Sequence, residues 1–306
     1  VLGAGGLQAI AKSGMPVDGK RVVVAGSGPL LLAVAATLAK LGARIELVAE
    51  QAAWGRVARF GLAAGWGKIR EAAALKWRLR GVPYRMGCWP VEAQERDGGL
   101  RVTLREWNAL RQVECDYLAC GFFLVPNLEL PMLLGCRLQA DGVAANEWQE
   151  TSVANIYGAG EVTGIGGLEK SLIEGEIAGL AASGDRGAAE RLFGARARAW
   201  RFAAALRGAF ALREELREIA TDDAIVCRCE DVTVGRVRGY SSMREAKLQT
   251  RCGMGPCQGR VCGAACEFLF GWRDGSVRAP IFPVGVGALR AMVGDAHPTN
   301  EIPPRS

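Results

Sequence analysis

A chain of 306 residues, half of them hydrophobic, is long enough for two or three domains with cores of their own. Its formal charge of +6 comes from 31 arginines and 7 lysines spread along the whole length. With no dense basic run or aromatic–basic stripe, the arginine excess reads as a composition bias and argues against a nucleic-acid partner. The longest apolar run, near residues 29–39, is ended by Lys40 and is too short to span a bilayer. No leader pattern opens the chain. Its first residues, from Val1, read like the middle of a protein, so an N-terminal truncation is expected.

In chain order, residues 21–25 (RVVVA) are a short β-branched run. The apolar stretch GSGPLLLAVAATLAKLGA follows, then IELVAE from Ile45. Strand, glycine turn, helix and strand make the opening of a nucleotide-binding βαβ unit. Residues 82–87, 101–106 and 113–121 predict further strands, and 152–164 a strand running into glycine turns. Residues 168–182 predict a helix. From about residue 187, Leu192, Ala195, Ala199, Phe202, Leu206 and Ala209 recur in steps of three or four among arginines, which predicts an amphipathic helical linker. A cysteine-rich segment spans about 221–285, and the final HPTNEIPPRS is expected to be disordered. The single histidine, His297, lies in that tail as a solvated residue, so no catalytic histidine or Ser–His–Asp set is expected.

At the first glycine turn, Gly26 permits the tight turn and Gly28 lets a pyrophosphate approach the backbone, with the helix N-terminus facing the phosphates. Leu31 replaces the third glycine of the fingerprint. Glu50 ends the next strand where an acid can bond a ribose 2′-hydroxyl. The ligand can be NAD, ADP, ATP or none, since a unit of this type can keep its turn and bind nothing tightly.

Six of the ten cysteines fall between Cys227 and Cys266. Such clustering in a chain without an export signal suggests a metal or redox site. Cys227 and Cys229, followed after 22 residues by Cys252 and then by Cys257, offer four thiolates for a [2Fe–2S] cluster or for zinc. Cys-x-Cys on an extended strand would aim both sulfurs one way, suiting adjacent ligands on one iron. Residues 253–256 (GMGP) leave backbone N–H groups free to face a cluster. Arg228, Lys247, Arg251 and Arg260, and a helix starting near Gln258, would supply positive charge. A Rieske site is excluded, since paired histidines are absent. Cys262 and Cys266, four residues apart on that helix, read as core, as do Cys88, Cys115, Cys120 and Cys136.

The stretch NIYGAGEVTGIGGLEKSLIEG resembles the flavin disulfide-reductase-like fold, in which an NAD-type domain is inserted into an FAD domain. That resemblance implies that Gly160 and Glu161 approach the ribityl–phosphate part of FAD. It also implies that Gly166, Gly167 and Leu168 open a helix pointing at the isoalloxazine. CRCEDVT with TRCGMGPCQGRVC resembles the bacterioferritin-associated-ferredoxin-like [2Fe–2S] domain, which implies Cys227, Cys229, Cys252 and Cys257 as ligands, with a shorter segment between the pairs than is usual there.

Together with VLGAGGLQAIAKSG and DYLACGFFLVPNLEL, these motifs resemble, over nearly the whole chain, the α subunits of heteromeric FAD-dependent opine oxidases, hydrogen cyanide synthases and hydroxyproline or proline dehydrogenases. The expected fold class is α/β: a two-dinucleotide-binding-domain, disulfide-reductase-like flavoprotein fold, N-terminally incomplete, plus a small α-rich [2Fe–2S] domain. The expected division is an NAD(P)-type domain over 1–121, the C-terminal part of an FAD domain over 122–185, a helical linker over 186–220, the cluster domain over 221–290 and a tail over 291–306. The resemblance implies FAD, a [2Fe–2S] cluster, a catalytic β subunit, an electron acceptor and a cytoplasmic place, with association to the inner membrane face through the complex. The chain itself would be one component of an oxidoreductase for CH–NH substrates, inactive alone. Two other readings stand beside it: a non-catalytic iron–sulfur or zinc module on a degenerate nucleotide fold, and a fragment of an NAD(P)H-dependent reductase.

Overall fold

The computed structural model describes residues 1–140, 142–273 and 277–292. Of the expected tail, Ala291 and Met292 end a helix, and the rest, His297 included, lies outside the described residues. The chain divides into two compact units, one of residues 1–128 with 136–221, the other of 129–135 with 222–306.

The first unit opens with β1 (Leu2–Gly3), α1 (Ala4–Lys12), β2 (Arg21–Gly26), α2 (Leu30–Lys40), β3 (Arg44–Glu50), α3 (Trp54–Arg78) and β4 (Tyr84–Met86). An antiparallel meander follows, β5 (Cys88–Arg96), β6 (Gly99–Glu106) and β7 (Ala109–Cys115), and then β8 (Tyr117–Gly121). Strand β8 enters between β1 and β2, so the parallel sheet runs β1-β8-β2-β3-β4. Strand β2 sits at its centre, and its β-branched run is buried from Val22 to Gly26, as a strand covered on both faces requires. Strand geometry sends alternate residues to opposite faces. Val22 and Val24 pack under Leu31, Val34, Ala35 and Leu38 of α2 and Leu7 of α1. Val23 and Ala25 pack with Leu47 and Ala49 against Val102, Leu104, Cys88 and Cys115 of the meander.

Residues 113–121, expected as one strand, are two, broken at Asp116. Its carboxylate accepts from the Arg21 amide at 2.8 Å and from the Arg21 guanidinium at 3.1 Å. That clamp turns the chain from the antiparallel meander into the parallel sheet. The strand expected within 152–164 does not form: Asn155 turns with φ +61°, and Tyr157 makes only an isolated bridge to Glu150. Past α4 (Glu129–Leu133), which belongs to the other unit, come the short hairpin β9 (Leu138–Gln139) and β10 (Gly142–Val143) and a single 3₁₀ turn at Gly160–Thr163. Helices α5 (Gly167–Ala182), α6 (Arg186–Glu190) and α7 (Phe193–Ala209) complete the unit. The expected linker is thus mostly α7, which buries Ala199, Ala203 and Ala209. Phe202 and Phe210 pack on Phe60 of α3, with ring centroids 5.5 and 5.3 Å apart.

The second unit holds α4, the hairpin β11 (Ile225–Cys227) and β12 (Val232–Thr233), α8 (Val234–Val237), α9 (Met243–Thr250), α10 (Cys262–Phe270) and α11 (Val286–Met292). Ser242 caps α9 by accepting from the Glu245 amide, while the Glu245 carboxylate takes the Ser241 amide and hydroxyl. Helices α8 and α9 fill the segment between the two cysteine pairs. The buried side chains are few and small: Val226, Val232, Val234, Val237, Met243 and Ala246, joined by Cys227, Cys252, Cys262 and Cys266.

A Cβ added at Gly26 would stand 2.0 Å from the Gly121 carbonyl oxygen, backbone against backbone with no side chain to yield. Gly26→Ala is expected to cost about 2–4 kcal/mol in urea unfolding, because the two central strands must part. Gly5→Ala, on the exposed face of α1 with open space around it, is expected to gain about 0.5–1 kcal/mol.

Candidate functional site

The glycine turn between β2 and α2 is closed by the chain itself. Both oxygens of Glu50 are taken: the Gly28 amide donates to one at 2.7 Å and the Ala52 amide to the other at 2.8 Å. The Ser27 hydroxyl donates to the Phe210 carbonyl at 2.9 Å. The Gln51 amide nitrogen donates to Ser27 Oγ and the Ala211 carbonyl, and its oxygen accepts from the Arg213 amide. Residues 210–213, the end of the expected linker, therefore lie over the turn. Glu50 is fully buried, and burial pushes its carboxyl up to about 7 against the two amides that favour the charge. Gly28, Glu50 and Gly26 are adjacent, as expected, but the donor and acceptor that a pyrophosphate and a ribose would use are bonded to each other.

At the second turn, Gly160, Glu161, Gly166, Gly167 and Leu168 fall into two groups. Gly160 is buried behind an internal charge pair. Lys170 Nζ donates to the Gly160 carbonyl, Thr163 Oγ1 and Glu174 Oε2, each at 2.8 Å. Glu174 accepts further from the Gly160 amide, the Thr163 hydroxyl and Trp200 Nε1. The ammonium also lies 4.5 Å from the centre of the Trp200 ring. Burial lowers the Lys170 pKa, and Glu174 acts against that. Glu161 faces solvent. Gly166, Gly167 and Leu168 instead line a cavity of about 510 Å³ with Lys68, Arg198, Arg201 and Phe202. The N-terminus of the sixteen-residue α5 thus opens beside the cationic side chains of Lys68, Arg198 and Arg201, with Lys170 and the Glu169 carboxylate on the same lining. Lys170, Glu174, Ser27 and Gln51 were not singled out by sequence reasoning. The i, i+4 spacing of Lys170 and Glu174 was the available signal, and it usually marks an exposed pair.

In the second unit the six clustered thiols come together, though not in the expected pattern. Cys227 ends β11 and is buried, but the chain turns at Arg228 and leaves Cys229 exposed in the hairpin turn. The period-two argument therefore does not apply, since Cys229 lies off the strand, although Cys227 still acts on its charge. Cys229 lies near Cys257, and the two thiols act on each other's titration. Cys227 and Cys252 stand with Cys262, the three sulfurs all within 4.8 Å of one another. Cys266 is fully buried one turn further along α10, outside that group of three. The helix expected from Gln258 begins at Cys262. The preceding turn supplies amides to a thiol instead: burial pushes Cys257 up, but the N–H groups of Val261, Gly259 and Arg260 and the Cys229 thiol outweigh it and hold Cys257 below its ordinary value. For Cys252, the Cys262 thiol acts to lower the pKa, yet Cys266 and burial prevail and push it up to about 12. Of the expected positive groups, Arg251 pairs with Glu230 at 2.7 Å, and Arg260 pairs with Glu129 and the Ile281 carbonyl. Cys88, Cys115 and Cys136 are buried away from this group and Cys120 is half-buried.

A parallel sheet carrying a glycine turn and a meander, joined in one chain to a pocket of thiols, defines a dinucleotide-fold redox protein by class. Residues 5–182 match the family described as pyridine nucleotide-disulphide oxidoreductase, and the chain belongs to it. It is 34% identical over 295 residues to hydrogen cyanide synthase subunit HcnB of Pseudomonas aeruginosa, covering 86% of this chain and 63% of that one. It is 31% identical over 326 residues to an opine oxidase subunit of Rhizobium meliloti, covering 94% of this chain and 70% of that one. The chain thus spans about two thirds of the length of these relatives. Among solved structures, the thioredoxin reductase of T. acidophilum is similar with a TM-score of 0.39 and 20% identity, over 63% of this chain and 57% of that one.

The folded chain holds the Glu50 proton more tightly than the unfolded chain, whose carboxyl keeps its ordinary value of 4.5. Stability is therefore expected to be greatest below pH 4.5 as far as this group is concerned. It should fall as pH rises toward about 7 and flatten above, by at most about 3 kcal/mol. Glu50→Gln should remove that slope in urea titrations between pH 5 and 8, set against the same titration of the wild type.

Removing Glu174 strands a buried ammonium with only the Gly160 carbonyl and the Thr163 hydroxyl. Removing Lys170 leaves a carboxylate that still has three donors. Glu174→Leu is thus expected to lose about 3–5 kcal/mol and Lys170→Met distinctly less, as read from denaturant midpoints.

Proposed function

We propose that the chain is the electron-transferring subunit of a heteromeric flavin-dependent amino- or imino-acid dehydrogenase or oxidase, of opine or proline type. In this reading electrons pass from a catalytic β subunit to an acceptor by way of FAD and a [2Fe–2S] cluster. The observation that carries it is the joining, in one chain, of a pyridine nucleotide-disulphide oxidoreductase unit to a second unit of six clustered thiols, three of them within 4.8 Å of one another. The names of the relatives, subunits of opine oxidase and of hydrogen cyanide synthase, support the heteromer and the CH–NH substrate class.

The donor chemistry fits both groups. A [2Fe–2S] cluster needs two thiolates for each iron, and Cys227 with Cys252 and Cys229 with Cys257 are two such pairs. The amides of Gly259, Arg260 and Val261 at Cys257 would stabilise its thiolate and tune the potential. For the flavin, Gly166, Gly167 and Leu168 at the start of α5, with Lys68, Arg198 and Arg201, would face a group that gains negative charge on reduction. Gly160 and Glu161 would serve it less directly, since the Gly160 amide is spent on Glu174. When bound, FAD would supply two-electron transfer and the cluster one-electron transfer, with the substrate itself oxidised on the β subunit. This chain's own part is to hold, orient and insulate, and no residue in it is assigned as a general base. None of the ten cysteines is in a disulfide, which suits a reducing, cytoplasmic place, with contact to the inner membrane face made through the complex.

A reading as an NAD(P)H-dependent reductase is weaker. Binding NAD or an adenine nucleotide at Gly26 and Gly28 would require Glu50 to release the Gly28 amide and residues 210–213 to leave the turn.

Protein purified without oxygen is expected to carry flavin and about two irons and two sulfides per chain. A protein that carries no flavin and, once freed of any zinc, builds no cluster from iron and sulfide would end this reading. A Cβ added at Gly255 would meet Cys229 Cβ at 2.2 Å, so Gly255→Ala should push Cys229 away and lose most of the iron and sulfide, leaving flavin content unchanged.

A further inference from the structure

We propose that Cys262 makes a second ligand set in the same pocket: Cys227, Cys252 and Cys262, completed by Cys266, form a closed site for one thiophilic divalent ion of the zinc type, which excludes the cluster when filled. The two sets share Cys227 and Cys252 and differ in the rest, so a chain can fill one at a time.

The geometry separates them. Four sulfurs around a single zinc stand about 3.8 Å apart, as a metal–sulfur bond near 2.3 Å and tetrahedral angles require. Thiolates on opposite irons of a [2Fe–2S] core stand well apart, across the sulfide bridge. Cys227, Cys252 and Cys262 lie within 4.8 Å of one another in all three combinations, which is the single-ion arrangement. The three sulfurs need close only from within 4.8 Å to about 3.8 Å of one another to share one ion. The fourth thiol would come from the same element: Cys266 is fully buried one turn along α10 from Cys262, on the same face, and its sulfur, outside the group of three, would have to move in.

Burial separates them as well. Cys227, Cys252, Cys262 and Cys266 are each 0–1% exposed, whereas Cys229 is exposed and Cys257 half-exposed. A fully enclosed set of four thiolates is the pattern of a structural zinc site, while the set that includes Cys229 reaches the surface. The unit's apolar core is small, so a metal joining β11, the turn after α9 and the start of α10 would take over part of the work of that core. Sequence spacing hides this set, because the first thiol lies on a strand, the second in a turn and the last two on a helix.

The test uses the full chain, freed of metal under reducing, oxygen-free conditions, with Co²⁺ as the probe. The wild type should bind one Co²⁺ with strong sulfur-to-metal absorption and the visible bands of a tetrahedral ion, and Zn²⁺ should displace it. The Cys229→Ser, Cys257→Ser double variant should keep that spectrum, although it has lost half of the cluster ligands. Cys262→Ser should weaken Co²⁺ binding by a factor on the order of a hundred or more, since one thiolate in four is lost. The same variant should still build the cluster from iron and sulfide, so the fate of the cluster proposal is read separately. No tetrahedral spectrum in the wild type, its loss in the double variant, or its survival unchanged in Cys262→Ser would each overturn the second ligand set. The double variant keeps the test open should Cys262→Ser fail to fold.

Discussion

The first unit depends on how closely β2 and β8 approach at their ends. Gly26 and Gly121 leave no room for a side chain between them, and that contact sets both strands at the middle of the sheet. Everything placed around the glycine turn follows from it. Strand β2 must then be covered on both faces, by α1 and α2 on one and the meander on the other, and its alternating valines serve both. The first glycine of the fingerprint is thereby explained by strand packing alone, without any ligand. A glycine pattern in such a position is as much a signature of the sheet as of a nucleotide.

Much of this frame was legible in the sequence. The β-branched run of β2, the apolar helix α2 and the strand ending in Glu50 obey local rules of period and propensity, and they form where the pattern puts them. What was not legible depends on partners far away in the chain. Residues 113–121 are continuously strand-like, and only the reach of Arg21 to Asp116, across 95 positions, breaks them in two. Residues 152–164 have strand propensity, but a strand needs a neighbour, and Tyr157 finds only Glu150. Glu50 carries the right charge at the right spacing, yet its oxygens are spent on the Gly28 and Ala52 amides, and its neighbour Gln51 is tied to residues 211 and 213, some 160 positions on.

The cysteines show the same limit at closer range. Spacing and a motif resemblance singled out Cys227, Cys229, Cys252 and Cys257, because paired thiols at short intervals are what ligand sets look like in one dimension. The hairpin turn at Arg228 sends Cys229 outward, and the late start of α10 carries Cys262 inward. A shift of four residues in a helix start changed a core residue into the neighbour of two candidate ligands. Helix starts are among the features that sequence patterns fix least well.

The two units also differ in what their buried polar groups still lack. In the first, Glu50 has two amides, Gln51 has three partners, and Lys170 and Glu174 satisfy each other and Gly160. Those charge-assisted bonds are strong, and a ligand arriving at either turn must replace bonds of equal quality before it gains anything. In the second unit the buried sulfurs have mainly each other, and S–H···S contacts are weak. A metal ion that replaces them gives up little and forms several strong bonds at once. The balance of bond strengths therefore puts the greatest gain from ligand binding at the thiols. At the second turn only Gly160 is engaged in this way, and Gly166 and Gly167 stay open to the cavity.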